Sequence, residues 1–177
     1  MIRAQWVRER GEGWWLMAVA NVNVLWLAAE PCPRYPAPMS GRNVVGGFLH
    51  HAASGKVLLH LRSPDKPPCA GQWAFFSGSE EPEDGGDLLA TWCREMREEL
   101  GVVLDPARVK SLCQGTYPAG NRWHDFYYNW PALDEHFVLT EGQRYAWFTL
   151  DDALALPDLA DYAREELILF RDRRQHD

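Results

Sequence analysis

Apolar and polar positions alternate over short runs through most of the chain after residue 42. Runs of this length, rich in β-branched and aromatic residues and bounded by Gly, Pro, Asn or Ser, are typical of strands. Two pairs of runs are joined by short turns, at Ala53-Ser54-Gly55 and at Pro118-Ala119-Gly120-Asn121, and each pair predicts a hairpin. The predicted strands are 44–51, 56–62, 73–76, 109–116, 122–130 and 145–150.

Two other stretches repeat their apolar residues at helical spacing. Residues 87–101, DLLATWCREMREELG, place most of their apolar side chains on one arc, with Asp87 as the N-cap and Gly101 as the glycine that follows a helix. A second amphipathic helix is predicted at 159–170. Strands interleaved with two helices predict the α/β class, as a sandwich with a mixed sheet.

The polar side of the first helix carries three carboxylates. Glu95, Glu98 and Glu99 stand at i, i+3 and i+4, where like charges repel by about 0.2–0.5 kcal/mol per pair. Arg94 and Arg97 lie round the side of the helix and offset part of this repulsion, whereas a divalent cation among the carboxylates would offset more. Clustered carboxylate oxygens suit a hard ion, Mg²⁺ or Mn²⁺. A solvated, salt-bridged helix face is the alternative for the same residues.

Residues 94–102, REMREELGV, resemble the second half of the Nudix box, R-E-U-x-E-E-x-G-U with U aliphatic, at every specified position. The front half departs from the family pattern, because Ser77-Gly78 replaces a Gly-Gly pair and the segment before the Arg is two residues longer. Gly86 stands where the family has a Glu. Asp84 and Asp87 are both candidates to replace that acid, and the sequence leaves the choice between them open.

The resemblance to the Nudix family implies a fold and a reaction. The fold is the Nudix-type α/β/α sandwich with a mixed central sheet. The reaction is Mg²⁺-dependent hydrolysis, with Mn²⁺ as a substitute, of a diphosphate linkage in a nucleoside diphosphate linked to a moiety X. Glu98 or Glu141 is implied as the base for the attacking water, and Arg94 as the residue that orients a box carboxylate. The implied metal ligands are Glu95, Glu98, Glu99 and the carbonyl of Gly78.

Partial resemblances within the family add candidate residues. Thr140-Glu141-Gly142-Gln143 is similar to a Glu-Gly-Gln stretch of MutT-like enzymes, whose Glu reaches the metal site. Asp161 matches the position at which those enzymes place an Asn against the base. Residues 58–63 resemble a motif of the coenzyme A pyrophosphatases, and their Arg62 is a candidate phosphate ligand under either resemblance. Phe76, just before the box, is a further candidate for substrate contact. The structural alternatives are a turn acid for Glu141, an acid at a helix start for Asp161 and a surface arginine for Arg62.

Composition and charge limit the classes of partner. The chain has 177 residues and a mass of 20.3 kDa, with 46% hydrophobic and 24% charged residues, which is ordinary for a soluble globular protein. Its net charge of −7 argues against a nucleic-acid polymer bound through a basic face. A small nucleotide-type substrate is compatible with this charge, since a metal compensates for it. The four cysteines lack metal-site spacing, which indicates reduced thiols and a cytoplasmic protein. A homodimer stays open.

Residues 1–42 differ from the rest and predict an N-terminal extension before a Nudix domain at 43–177. The apolar run Trp14 to Ala29 is shorter than the ~20 residues of a membrane span and contains two asparagines, so no membrane partner is expected. An added strand or helix, or a mobile appendage, is the expected form. Residues 31–38, rich in proline, predict a stiff linker.

The altered front of the box supports a second class of function, a catalytically inactive Nudix-fold nucleotide sensor or interaction module. The complete helix half favours the hydrolase, because a drifted site has no need for three adjacent acids. The histidines lack the spacing of a metal site, and none is assigned a metal. His60 lies between Leu59 and Leu61 and is predicted to be exposed on its strand.

Overall fold

The computed structural model describes residues 41–133 and 136–175 in full, and before them the backbone of two strands. These are β1 (Arg3–Arg8) and β2 (Trp14–Val19), which pair antiparallel. The chain divides into two compact units, Met1–Glu30 and Pro31–Asp177. The predicted proline-rich linker lies outside the described residues, and the domain boundary at residue 42 stays a prediction. Of the helices in the described ranges, none has the length and apolar character of a membrane span.

A mixed seven-stranded sheet forms the centre of the second unit. Its main path runs β5-β4-β3-β8-β7, while β6 pairs with β3 and β9 pairs with β4. The pairing of β3 with β8 is parallel and the others are antiparallel. Both predicted hairpins are therefore present, as β3–β4 and β7–β8. The strands are β3 (Val44–His51), β4 (Lys56–Leu61), β5 (Trp73–Ala74), β6 (Phe76–Ser79), β7 (Lys110–Thr116), β8 (Arg122–Asn129) and β9 (Arg144–Thr149).

Three helices flank this sheet: α1 (Leu88–Leu100), α2 (Leu150–Ala155) and α3 (Asp161–Arg174). The first helix begins and ends as the sequence predicts. Asp87 caps it by accepting hydrogen bonds from two backbone N–H groups of the first turn, and Gly101 follows it with φ of 71°. The sequence analysis did not predict α2, because the helix follows β9 without a loop. Thr149 ends β9 and also caps α2, since its hydroxyl oxygen accepts a hydrogen bond from the N–H of Asp152.

The two faces of the sheet support two hydrophobic clusters, since alternate residues of a strand point to opposite sides. Phe48 packs on the α3 side with Leu167 and Phe170, which confirms the predicted α/β sandwich with a mixed sheet. On the other face α1 inserts Trp92, which stacks on Phe126. The buried residues of the α1 side are Val45, Leu49, Leu58, Phe76, Leu88, Trp92, Met96, Leu100, Val102, Leu104, Phe126, Tyr128 and Phe137.

Gly47 on β3 allows α1 to approach the sheet closely. A side-chain carbon at this position would lie 2.7 Å from ring atoms of Trp92, closer than any non-bonded contact allows. The indole of Trp92 therefore rests on bare backbone, and the helix that carries the glutamates is fixed to the sheet at its middle.

Three local predictions are corrected by the structure. The prediction that His60 is exposed is wrong. Its side chain is 0% exposed, because β4 lies inside the sheet and both faces of the strand are covered. The predicted strand 73–76 is two strands, β5 and β6, separated at Phe75. The second of these strands, β6, continues to Ser79, beyond the predicted end of the strand. The last helix begins at Asp161 rather than at residue 159 and extends to Arg174.

Candidate active site

The front of α1 faces strand β6 through a close contact between Gly78 and Glu95. A side chain at Gly78 would overlap the carboxylate of Glu95, so only a glycine leaves room for that group. The carboxylate is largely buried, and burial raises the pKa of Glu95, while Arg94 partly opposes the rise. The backbone of β6 and one box carboxylate therefore form one wall of the site.

Arg94 lies at the centre of an ion-pair network. Its Nε and Nη2 donate to the two carboxylate oxygens of Asp84 at 3.1 and 2.9 Å, and Nη2 also donates to the carbonyl of Ser79 at 3.0 Å. Nη1 contacts carboxylate oxygens of Glu95 and Glu98, each at 3.0 Å. This network raises the pKa of Arg94 further and holds the pKa of Asp84 below its ordinary value.

Asp84, one of the two candidates to replace the missing box acid, is the aspartate that contacts Arg94. Asp84 ends a 3₁₀ turn, Pro82–Asp84, and also accepts a hydrogen bond from the N–H of Glu81 at 2.9 Å. Its side chain is 5% exposed. Asp87, the other candidate, uses its carboxylate to cap α1. Of the two candidates, Asp84 is thus the one that contacts the box arginine, and Asp87 is the one that caps the helix.

Glu99 is a buried carboxyl directed into the site. It is 4% exposed, and its Oε2 atom has no hydrogen-bond partner among the described residues. Burial raises its pKa to about 9, and the nearby carboxylates of Glu95 and Glu141 add to the rise. Arg62 and the backbone at Ser77 oppose it. Without an opposite charge close by, the neutral form of the Glu99 carboxyl is therefore favoured beside these acids.

Some of the remaining predicted residues border the site, and the others lie away from it. Glu98, with a side chain 55% exposed, and Glu141, 40% exposed, border the site from the solvent side, and Arg62 acts electrostatically on Glu99. Phe76 is in the core, where its ring lies 4.7 Å from that of His60, and not in the predicted contact with substrate. Asp161 begins α3, and its charge acts on the thiol of Cys69.

A second group of metal-ligating side chains lies on the α3 side of the sheet. Within the described ranges, the set whose donor atoms lie within 4.8 Å of one another is Cys113, Asp125 and Glu166. The thiol of Cys113 donates to Glu166 at 3.1 Å. The glutamates of α1 are not part of such a set in the described ranges, and Nη1 of Arg94 contacts two of them, Glu95 and Glu98. Sequence spacing gives no signal for the second group, since its members come from β7, β8 and α3.

A model of the NUDIX domain matches residues 41–169. The chain belongs to the Nudix family. Membership of this family supports, in general, a pyrophosphohydrolase of nucleotide-linked substrates. No protein with a curated description matches the chain in sequence.

Solved Nudix structures share the fold. A MutT protein from Methanosarcina mazei Go1 is 21% identical, with 77% of this chain and 96% of that chain covered and a TM-score of 0.59. The NUDIX domain of Shewanella oneidensis NrtR, in complex with ADP ribose, is 21% identical over 75% and 88% of the two chains, with a TM-score of 0.58. A C. elegans Ap4A hydrolase is 22% identical over 76% and 100%, with a TM-score of 0.54. These likenesses show the Nudix α/β/α sandwich.

The Nudix site of this chain fits a divalent cation. Nudix hydrolases generally use divalent metals such as Mg²⁺. Glu99 presents a buried oxygen without a partner among the described residues, and Gly78 leaves space against Glu95 that any other residue would fill. Carboxylate and carbonyl oxygens are the donors that a hard divalent ion prefers.

Proposed function

We propose that this Nudix protein is a Mg²⁺-dependent hydrolase that cleaves a diphosphate linkage in a nucleoside diphosphate linked to a moiety X. The observation that carries the proposal is the carboxyl of Glu99, buried beside Glu95 and Glu141 with an oxygen that lacks a partner among the described residues. A buried carboxyl in such surroundings is stabilised in its ionised form by an opposite charge. A divalent cation provides that charge and binds carboxylate oxygens.

In this proposal the metal ligands are Glu95, Glu98, Glu99 and the carbonyl of Gly78, with Mn²⁺ able to replace Mg²⁺. A bound divalent metal neutralises phosphate charge and lowers the pKa of a bound water. Arg94 orients Glu95 and Glu98, because its Nη1 contacts both carboxylates while Asp84 and Ser79 fix its other nitrogens.

Glu141 takes the proton of the attacking water in this proposal, with Glu98 as the alternative base. Glu98 is held by Arg94 at 3.0 Å, whereas Glu141 meets Lys66 at 3.8 Å and is open to solvent. A carboxylate that is not already engaged by a guanidinium has its oxygens free to accept a proton from water. Arg62 is anchored through Nε to the carbonyl of Pro68 at 3.0 Å, and its terminal nitrogens are proposed as phosphate ligands.

A substrate panel tests the proposal. The full chain is incubated with Mg²⁺ or Mn²⁺ and nucleoside triphosphates, sugar nucleotides, dinucleoside polyphosphates, ADP-ribose or coenzyme A, and the phosphate, pyrophosphate and nucleotide products are scored. ADP-ribose and Ap4A come first, because one relative binds the former and another is an Ap4A hydrolase. We expect hydrolysis of one class, and its loss in excess chelator.

Glu98→Gln provides the sharper test on the active substrate. We expect kcat to fall by roughly 10²–10³, since one ligand carboxylate is lost, while the melting temperature stays near that of the wild type. Glu83→Gln is the matched control, because Glu83 is an exposed acid of the preceding 3₁₀ turn. Wild-type turnover by Glu98→Gln, or full activity in chelator, would rule the mechanism out.

A nucleotide sensor without catalysis is the second candidate. The contact of Arg94 with both Glu95 and Glu98 favours it, because this ion pairing neutralises two of the acids without a metal. Titration calorimetry distinguishes the two candidates: a sensor binds one member of the panel and releases no product.

A further inference from the structure

Thr140 joins the C-terminal end of α1 to the loop that carries Glu141. The last carbonyls of a helix lack partners within the helix. In α1 the carbonyl of Glu98 accepts a hydrogen bond from the Thr140 hydroxyl at 2.5 Å, and the carbonyl of Glu99 accepts one from the Thr140 N–H at 3.0 Å. A single residue therefore caps the backbone of two of the proposed metal ligands.

The other end of this loop, residues 140–143, is tied to strand β4. The N–H of Gln143 donates to the carbonyl of Leu61 at 2.8 Å, and its side-chain amide donates to the carbonyl of Arg62 at 2.7 Å. Gly142 has φ of 94°, and a side-chain carbon there would lie 3.0 Å from the Leu61 carbonyl oxygen, so both conformation and space favour glycine. The 140–143 loop thus spans from α1 to β4.

Glu141 is held by this backbone more than by contacts of its own side chain. Its carboxylate lies 3.8 Å from the ammonium of Lys66, and both side chains are exposed enough for solvent to screen the pair. Beneath the loop, His60 is fully buried, with its Nδ1 atom 3.3 Å from the place of a side-chain carbon at Gly142. The two ties at the ends of the loop consequently determine where Glu141 stands relative to α1.

We propose that Thr140 is a positioning residue that couples Glu141 to the metal-binding helix. The inference rests on the proposed function, because Glu141 needs a fixed place only if it acts on a substrate bound at α1. The hydroxyl of Thr140 provides this coupling through its hydrogen bond to the Glu98 carbonyl. Without it the carbonyl of Glu98 loses its partner in the loop, and the loop keeps a single hydrogen bond to the helix.

Two substitutions separate the hydroxyl from the shape of the side chain. Thr140→Val retains the branched shape and removes the hydroxyl, whereas Thr140→Ser retains the hydroxyl. We expect Thr140→Val to lower kcat about tenfold with KM changed by less than about twofold, and Thr140→Ser to restore kcat to within about twofold of wild type. Thr149→Val is the control, since it removes a hydroxyl that caps α2 away from the glutamates and should leave kcat unchanged.

A double-mutant cycle shows whether Thr140 acts through Glu141. We expect Thr140→Val to reduce kcat by less than about twofold further when Glu141→Gln is already present, because there is then no base to position. Losses that multiply in the double variant, or wild-type kcat in Thr140→Val, would overturn the proposal.

Mn²⁺ binding, followed by electron paramagnetic resonance on the full chain, gives a readout that needs no turnover. We expect Thr140→Val, but not Thr140→Ser, to weaken Mn²⁺ binding about threefold, because the Glu98 backbone is less fixed. A wild-type protein that binds Mn²⁺ yet hydrolyses no member of the panel contradicts the proposed function, and Mn²⁺ binding by Thr140→Val then still tests whether the Thr140 hydroxyl fixes the metal-binding helix. Unchanged Mn²⁺ affinity in Thr140→Val contradicts the role of Thr140 alone, and a wild-type protein that binds no Mn²⁺ contradicts both.

Discussion

Asp84 holds the guanidinium of Arg94 by two parallel hydrogen bonds, from Nε to Oδ1 at 3.1 Å and from Nη2 to Oδ2 at 2.9 Å. Paired bonds of this kind fix direction as well as distance. Asp84 is one of two aspartates near the position at which the family pattern has a glutamate, in a segment before the arginine that is two residues longer. The longer segment, folded as a 3₁₀ turn, brings the shorter acid within reach.

Removing the charge of Asp84 is expected to disturb both stability and activity. In Asp84→Asn the guanidinium of Arg94, with a side chain only 13% exposed, loses a charged partner, so we expect a loss of about 1–2 kcal/mol in the free energy of unfolding and a kcat at least about tenfold lower. Urea unfolding and steady-state kinetics measure the two effects. Asp87→Asn is the matched control, because asparagine also caps a helix well, and it should change neither quantity appreciably. The reverse ranking of the two variants would contradict the assignment.

Glu99 should destabilise the metal-free protein. A carboxyl that is buried beside other acids costs free energy to ionise, whereas a neutral amide of the same shape does not. We therefore expect Glu99→Gln to melt at a higher temperature than wild type in excess EDTA at pH 7.5. With saturating Mg²⁺ the wild type should gain stability and the variant should gain much less. A lower melting temperature for Glu99→Gln in EDTA would show that the carboxyl is satisfied without metal.

Gly78→Ala tests the space beside Glu95. A methyl group at this position overlaps the carboxylate, which has to move away. We expect Mn²⁺ affinity to fall about tenfold or more, with the far-ultraviolet circular dichroism unchanged. Ser79→Ala is the neighbouring control, because the carbonyl that accepts from Arg94 is retained in that variant. Equal Mn²⁺ affinities for Gly78→Ala and wild type would exclude Gly78 from the metal site.

His60 is expected to make the fold sensitive to acid. Burial lowers the pKa of this imidazole from 6.5 to about 4, and the charge of Arg62 adds a smaller effect in the same direction. The nearby backbone of Glu141 and Phe75 opposes the fall, although neither ring nitrogen has a hydrogen-bond partner among the described residues. Between these values the unfolded chain binds a proton that the folded chain does not. The stability due to neutral His60 is therefore complete above pH 6.5 and is lost as the pH falls toward 4.

The His60→Phe variant isolates this contribution. On going from pH 7 to pH 5, the free energy of unfolding should fall less in the variant than in wild type, by on the order of 2 kcal/mol. Urea unfolding at the two pH values measures the difference, and His136→Gln, at an exposed position, is the control. An equal pH dependence in wild type and His60→Phe would show that His60 titrates normally.

Local patterns predicted those parts of the fold that depend on nearby residues. The caps of α1, Asp87 and Gly101, and both hairpins are confirmed because short-range chemistry determines them. The burial of His60 was missed, since Leu-His-Leu alternation also fits a strand covered on both faces, and only the position of β4 in the sheet decides between the two. The short helix α2 was missed because six residues are too few to show helical periodicity.

The candidate site was predictable in its residue types but not in its contacts. Three glutamates on one helix are visible in the sequence, whereas their unequal exposure depends on how α1 meets β6 and the 140–143 loop. Glu99 is buried and Glu98 is exposed although they are neighbours in the chain. The contact of Asp84 with Arg94, ten positions away in the chain, depends on the 3₁₀ turn. The group of Cys113, Asp125 and Glu166 is created by tertiary contacts alone.

The packing of Trp92 against the backbone of Gly47 has a consequence for redesign of this protein. Because α1 is locked to the sheet at its middle, segments exchanged elsewhere should leave the helix in place. The loop at residues 63–72 can then be grafted from other family members as an interchangeable part, whereas the 140–143 loop, which contacts α1, has to be retained. If the proposed function holds, exchange of this loop is a route to a different substrate, while any replacement of Gly47 would displace α1 in every such chimera.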